Sequence, residues 1–152
     1  AAAKLANWDD PRRVQKWFDD LPTRTHPPTT PAYQYQHRVL GTDVERHISS
    51  DVGDEIWADS VTIDRKSGIT MAWDAKYTES GPKALYEGHA PKFIIKKFDA
   101  EIAKYREVIN SPSNPVSQLN LVTNTPEAAT YLGNRARKAL GPNITLTVYV
   151  IP

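Results

Sequence analysis

The chain has 152 residues, 39% hydrophobic and 24% charged, with a net charge of +1, the profile of one globular domain with room for a core. No apolar run reaches the roughly 20 residues of a membrane span and no signal-peptide pattern opens the chain, so no membrane partner is expected. The lack of cysteine excludes disulfide staples and thiolate zinc sites, while a net charge near zero neither requires nor forbids a nucleic-acid partner.

The opening Ala1-Ala2-Ala3-Lys4 lacks an initiator methionine, which fits a domain excised from a longer chain and equally a few added residues at its start. Residues 7–21 are predicted as a helix: Asp10 can cap it, Pro11 suits its first position, and Val14, Trp17, Phe18 and Leu21 share a face. Residues 22–32 hold four prolines and four threonines and read as an extended linker or surface arm. Residues 1–32 are therefore expected to form a helix and arm, and 33–152 the functional domain.

"YQYQHRVLG" from Tyr33 fits either a strand or a short helix. "VERHISS" is a candidate strand, and "DEIWADSVTID" and "GITMAWDAKY" are stronger ones, joined by the loop "RKSG" into a hairpin. Residues 90–110 form a helix whose Ile94, Phe98, Ile102, Tyr105 and Ile109 make one apolar stripe. "SQLNLVT", a helix capped by Thr125-Pro126 and closed by Gly141, and the alternating "NITLTVYVI" complete a right-handed parallel βαβ unit. The fold class expected is α/β, a mixed β-sheet flanked by helices on both faces. The four tryptophans are expected in the core, with Trp57 bordering the active face.

With the hairpin loop at 65–68, Asp64 opposes Ile69, Asp59 opposes Asp74 and Trp57 opposes Lys76. Two carboxylates then face each other about 5 Å apart at Cβ, with a lysine one step along the same face. Opposed like charges destabilise a strand pair unless neutralised, and a hard divalent cation does this. Taken alone, the same residues also fit a surface Asp59–Lys76 ion pair worth less than about 1 kcal/mol.

Asp59 followed by Asp74-x-Lys76 resembles the PD-(D/E)XK nuclease superfamily. The ordered segments "YQHRVLG", "ADSVTID", "WDAKY", "APKFIIKKFDAEIAKYREVI", "PVSQLNLVTN" and "AATYLGNRARK" resemble its restriction-endonuclease-fold polymorphic toxins, the fifth group in particular. Asp74 stands where such toxins usually have Glu, and Ala58-Asp59-Ser60 where many have Phe-Asp-Gly. The resemblance implies a restriction-endonuclease-like core and a metal-dependent endonuclease, DNase favoured. Asp59, Asp74 and the Ala75 backbone carbonyl would hold Mg²⁺ (or Mn²⁺), with Lys76 orienting or deprotonating water or offsetting charge on phosphate. It also implies an antibacterial effector, a secretion-system cargo of the type VI kind acting in the cytoplasm of a target bacterium, and a cognate immunity protein. A catalytically inactive interaction module on this fold, or an RNase using the same site, are the alternatives.

The superfamily often adds an acid from a helix before the sheet. Glu45 is the first candidate for this further ligand, Glu55 the second, and Gln36 a neutral substitute. Lys92, Lys96, Lys97 and Lys104 on the long helix can contact phosphates without reading sequence. Arg135, Arg137 and Lys138 fit stabilisation of a helix C-terminus better. The loop 78–90 is expected to border the cleft, with Tyr86 and His89 as candidates for stacking or phosphate contact. The histidines make no recognised nuclease or zinc motif.

Overall fold

A computed structural model describes residues 2–79, 86–88 and 90–152, with side chains left undescribed at 2, 3 and 5. The sequence readings placed on residues 80–85 and on His89 lie outside the described residues.

Two helices open the chain, α1 (Ala2–Asn7) and α2 (Pro11–Asp20). Asp10 caps α2 by accepting from the Arg12 N–H at 2.9 Å, and Pro11 takes the first position, so the helix expected over 7–21 begins only where its cap allows. The arm contains a short strand, β1 (Thr23–Thr25). The ambiguous segment is a helix, α3 (Pro31–Leu40), because Thr30 accepts from Tyr33 N, Pro31 opens it and Gly41 closes it at φ 70°.

Four strands follow: β2 (Val44–Ser49), β3 (Glu55–Ala58), β4 (Ser60–Ile63) and β5 (Thr70–Lys76). The hairpin loop forms as the sequence implies. Asp64 N–H donates to Ile69 O at 2.8 Å, Gly68 takes φ 76°, and Ser60 to Ile63 pair antiparallel with Trp73 to Thr70. The rest of the chain is α4 (Lys92–Asn110), β6 (Val116–Thr123), α5 (Pro126–Leu140) and β7 (Thr145–Val150). Parallel pairing of β5 with β6 and of β6 with β7 gives the expected βαβ unit.

The single mixed sheet expected is in fact two sheets, ordered β1-β2-β3 and β4-β5-β6-β7. The strand read from 54 to 64 breaks at Asp59 and passes from one sheet to the other. Trp57 therefore pairs with His47 rather than opposing Lys76. Along β5, Thr70, Ala72 and Asp74 are buried, on the face that also carries Leu119 and Leu121 of β6. Helices α4 and α5 cover it, α4 through Ile95, Phe98, Ile102, Tyr105, Val108 and Ile109. The stripe is wider than the sequence implied, with Ile94 only half-buried, because α4 packs on β3, β6 and α5 together. Helix α3 lies on the other side of β5, where Tyr35 packs against Tyr77 at 5.6 Å between ring centroids.

All four tryptophans are half-buried rather than core residues. Trp17 packs against the core's edge, and Trp73 stacks on Tyr149 while donating to Thr62 Oγ1 at 2.7 Å. None of the described helices is long and apolar enough to cross a membrane.

Candidate active site

The break at Asp59 has a local cause. With the backbone leaving the sheet there, the Asp59 side chain replaces the missing ladder acceptor: its Oδ2 accepts from the Ala75 N–H at 2.8 Å. This draws its carboxylate across β5 to Asp74. The Asp59 and Asp74 carboxyls lie within hydrogen-bond reach of each other, and a third carboxyl, Glu101 of α4, lies within reach of Asp74. Lys76 Nζ sits between them, 3.1 Å from Asp74 Oδ1 and 2.8 Å from Glu101 Oε1.

Asp74 is 2% exposed, and its Oδ2 has no hydrogen-bond partner among the described residues. A buried carboxylate oxygen left alone is costly. Carboxylates pressed together need a shared proton or a cation between them. The acid strengths record this. Burial pushes Asp59 and Asp74 up to about 6, in Asp74 with help from the Asp59 charge, while Lys76 pulls both the other way. Burial, then the Asp74 charge, pushes Glu101 up to about 8. Burial alone pulls the Lys76 ammonium down, but Asp74, Glu101 and Asp59 outweigh it and raise the group well above its ordinary value.

These shifts fix the sign of a pH effect. Folded Asp59, Asp74 and Glu101 hold their protons to higher pH than the unfolded chain does. Their contribution to stability is complete below the ordinary carboxylate range and is lost as pH rises through about 6 and then about 8. Thermal unfolding in EDTA is expected to show a lower Tm at pH 8 than at pH 5, and millimolar Mg²⁺ or Mn²⁺ is expected to restore much of the difference at pH 8. A flat profile from pH 5 to 8 would contradict the crowded-carboxylate geometry.

The cluster opens into a cavity of about 430 Å³ lined by Asp59, Ala75, Lys76 and Glu101, by Lys97, and by Arg24, Gln36, Glu45, Tyr33, Trp57, Tyr77 and Tyr86. Tyr86 holds a backbone φ of 65°, unusual for a residue with a side chain. Among the described residues no three His, Asp or Glu side chains converge as a ready metal cage. The donors that fit a hard divalent cation are the orphaned Asp74 Oδ2, the Asp59 carboxylate, and the carbonyl of Ala75, a residue at the cavity wall.

The other residues named from the sequence fall in different places. Glu45 does line the cavity, but from β2 rather than a helix. Its oxygens are taken by Arg24 Nε at 2.8 Å, Gln36 Nε2 at 3.1 Å and His26 Nε2 at 3.4 Å. Glu55 is exposed and pairs with His47. Of the α4 lysines, Lys97 lines the cavity, whereas Lys92, Lys96 and Lys104 are exposed elsewhere on the helix. Arg137 donates to the carbonyls of Gly141 and Ile144 beyond the end of α5, as expected of a helix C-terminus, whereas Arg135 pairs with Asp99 and ties α5 to α4. Glu101 escaped the sequence reading. Its one trace there is position: an acid directly before Ile102 and four residues before Tyr105, on the edge of the buried stripe.

Comparison with known proteins is consistent with this geometry. No curated protein and no solved structure matches the chain. A family model described as restriction endonuclease fold toxin 2 matches residues 31–139, from the start of α3 to the last turn of α5, including Asp59, Asp74, Lys76 and Glu101. The model matched is the toxin 2 family, not the fifth group that the motifs resembled; what the two share is the fold and the toxin class. The chain belongs to the restriction endonuclease fold toxin 2 family.

Proposed function

We propose that the chain is the nuclease domain of an antibacterial toxin. It hydrolyses phosphodiester bonds of DNA with Mg²⁺ in the cytoplasm of a target bacterium, and a cognate immunity protein silences it in the producer. The observation that carries the catalytic part is the buried, unpartnered Asp74 Oδ2 beside Asp59 and Lys76. Membership of a toxin family supports the biological setting.

Asp59, Asp74 and the Ala75 carbonyl would hold the cation. When bound, it supplies Lewis acidity that lowers the pKa of water and offsets charge on the phosphate. The chain's own residues do the rest. Lys76 keeps its proton in this field of carboxylates, so its part is that of a fixed positive charge toward the oxygens that gain charge in the transition state. Glu101 aims that ammonium through its 2.8 Å contact. Burial and the Asp74 charge push its carboxyl up to about 8, within reach of the range suited to exchanging protons with water. Lys97 adds positive charge at the cavity wall, toward a neighbouring phosphate.

The test is a plasmid incubated with the protein and Mg²⁺, with and without EDTA, beside Asp59→Ala and a panel of single- and double-stranded DNA and RNA. Magnesium-dependent nicking lost in Asp59→Ala is expected. Folded protein that cleaves nothing, indistinguishable from Asp59→Ala, identifies an inactive module. Cleavage confined to RNA replaces the DNase assignment.

A further inference from the structure

Arg24 stands on β1, in the arm that precedes the segment matched by the family model. It pairs directly across from Glu45 in the β1–β2 ladder. Its Nε donates to Glu45 Oε1 at 2.8 Å, and its guanidinium carbon lies 4.4 Å from the centre of the Trp57 ring. One edge and one face of the guanidinium are thus fixed. The terminal nitrogens make no hydrogen bond among the described residues, the side chain is 45% exposed, and it lines the same cavity as Asp59 and Lys76. A guanidinium offers a planar fork of donors that matches phosphate oxygens.

Glu45 explains how the fork is held. It is 3% exposed, Gln36 Nε2 donates to its Oε2 at 3.1 Å, and His26 Nε2 lies 3.4 Å from its Oε1. A carboxylate buried this way, with a donor already on each oxygen, is less free to ligate a cation but well placed to orient Arg24.

We infer that Arg24 binds a phosphate of the nucleic-acid backbone, with Glu45 as its positioning residue, so that the N-terminal arm forms one wall of the cleft. The role rests on the nuclease reading above. The competing explanation is that Arg24 only neutralises buried Glu45. Removing both partners separates the two, because it removes the buried unpaired charge along with the guanidinium.

The experiment compares Arg24→Gln, Arg24→Lys, the double variant Arg24→Gln/Glu45→Gln, and Arg12→Gln, an arginine whose side chain is 92% exposed on α2, as a charge-matched control. Cleavage is measured in the otherwise wild-type protein. Binding of a labelled oligonucleotide is measured by anisotropy against salt in an Asp74→Asn background. Thermal unfolding is measured for each variant. Arg24→Gln is expected to lower kcat/KM about 10- to 100-fold and to make the slope of log affinity against log salt shallower by about 0.7–0.9, one phosphate contact's worth. Arg24→Lys falls between, and Arg12→Gln matches wild type. The double variant regains the Tm that Arg24→Gln loses but not its cleavage or salt slope. A double variant that regains cleavage and slope together with Tm overturns the phosphate role and leaves the nuclease reading standing. Wild-type protein that cleaves no nucleic acid removes the nuclease reading, and this role with it.

Discussion

Asp74→Asn is expected to abolish hydrolysis while leaving the protein as stable as wild type or more so. Both halves follow from one observation, a carboxylate 2% exposed with an oxygen that nothing in the described chain satisfies. Such a group is retained at a cost. Burial pushes its pKa from the ordinary carboxylate range to about 6, so keeping it ionised at pH 8 works against folding by about 2–3 kcal/mol. The amide removes that cost. What it cannot do is bring a negative charge to a cation. Losing several kcal/mol of transition-state stabilisation corresponds to at least about a 10³-fold fall in rate. Plasmid cleavage and thermal unfolding on the same preparation check both. Cleavage within tenfold of wild type, or a Tm several degrees lower in EDTA at pH 8, would sink this account of Asp74.

Lys76→Met is expected to fail in the opposite manner, losing activity and stability together. Lys76 Nζ is the cation between Asp74 and Glu101, and without it three crowded carboxyls face one another. Breaking a buried charge pair from one side costs about 3–5 kcal/mol. The loss should be largest at pH 8 in EDTA and smaller at pH 5, because the carboxyls then share protons and the repulsion between them falls. Adding Glu101→Gln to Lys76→Met removes one of the stranded charges and is expected to recover part of the Tm at pH 8. It does not recover hydrolysis, which stays about 10²- to 10³-fold down because the fixed positive charge at the phosphate is gone. Chemical denaturation at the two pH values separates this from a packing defect. A Lys76→Met protein with pH-independent stability, or one that still cleaves, contradicts the role given to the ammonium.

Much of this arrangement was legible before any coordinates. The loop "RKSG" fixed the β4–β5 register, and with it the meeting of Asp59 and Asp74, because strand partners are determined once the turn is counted correctly. The Thr125-Pro126 start placed the first turn of α5 through cap chemistry that acts within four residues, whereas the Thr30-Pro31 start of α3 fell inside a stretch that reads as an extended arm. Other features were hidden for physical reasons. The break at Asp59 spans one residue within an otherwise continuous β pattern, and only the tertiary demand of the Ala75 N–H reveals it. Glu101 looks like any acid on an amphipathic helix until the helix is docked, since its role depends on which edge of α4 meets β5. Arg24 lies in a three-residue strand among prolines and threonines, where local sequence carries almost no strand signal. Glu45 was expected as a further metal ligand from a helix; it lines the cavity from β2 instead, and the sequence could not show that Arg24, Gln36 and His26 converge on it from three different places in the chain.

Asp59 and Asp74 are proposed to grip a divalent cation together beside Lys76. A crystal of the active protein soaked in Mn²⁺, with anomalous difference density recorded at the manganese edge, tests this most directly. The expected result is a peak in contact with one oxygen of each of these two carboxylates and with the Ala75 carbonyl, absent from crystals of Asp74→Asn. Manganese bound only elsewhere, at Glu45 for instance, in protein that still cleaves DNA would contradict it.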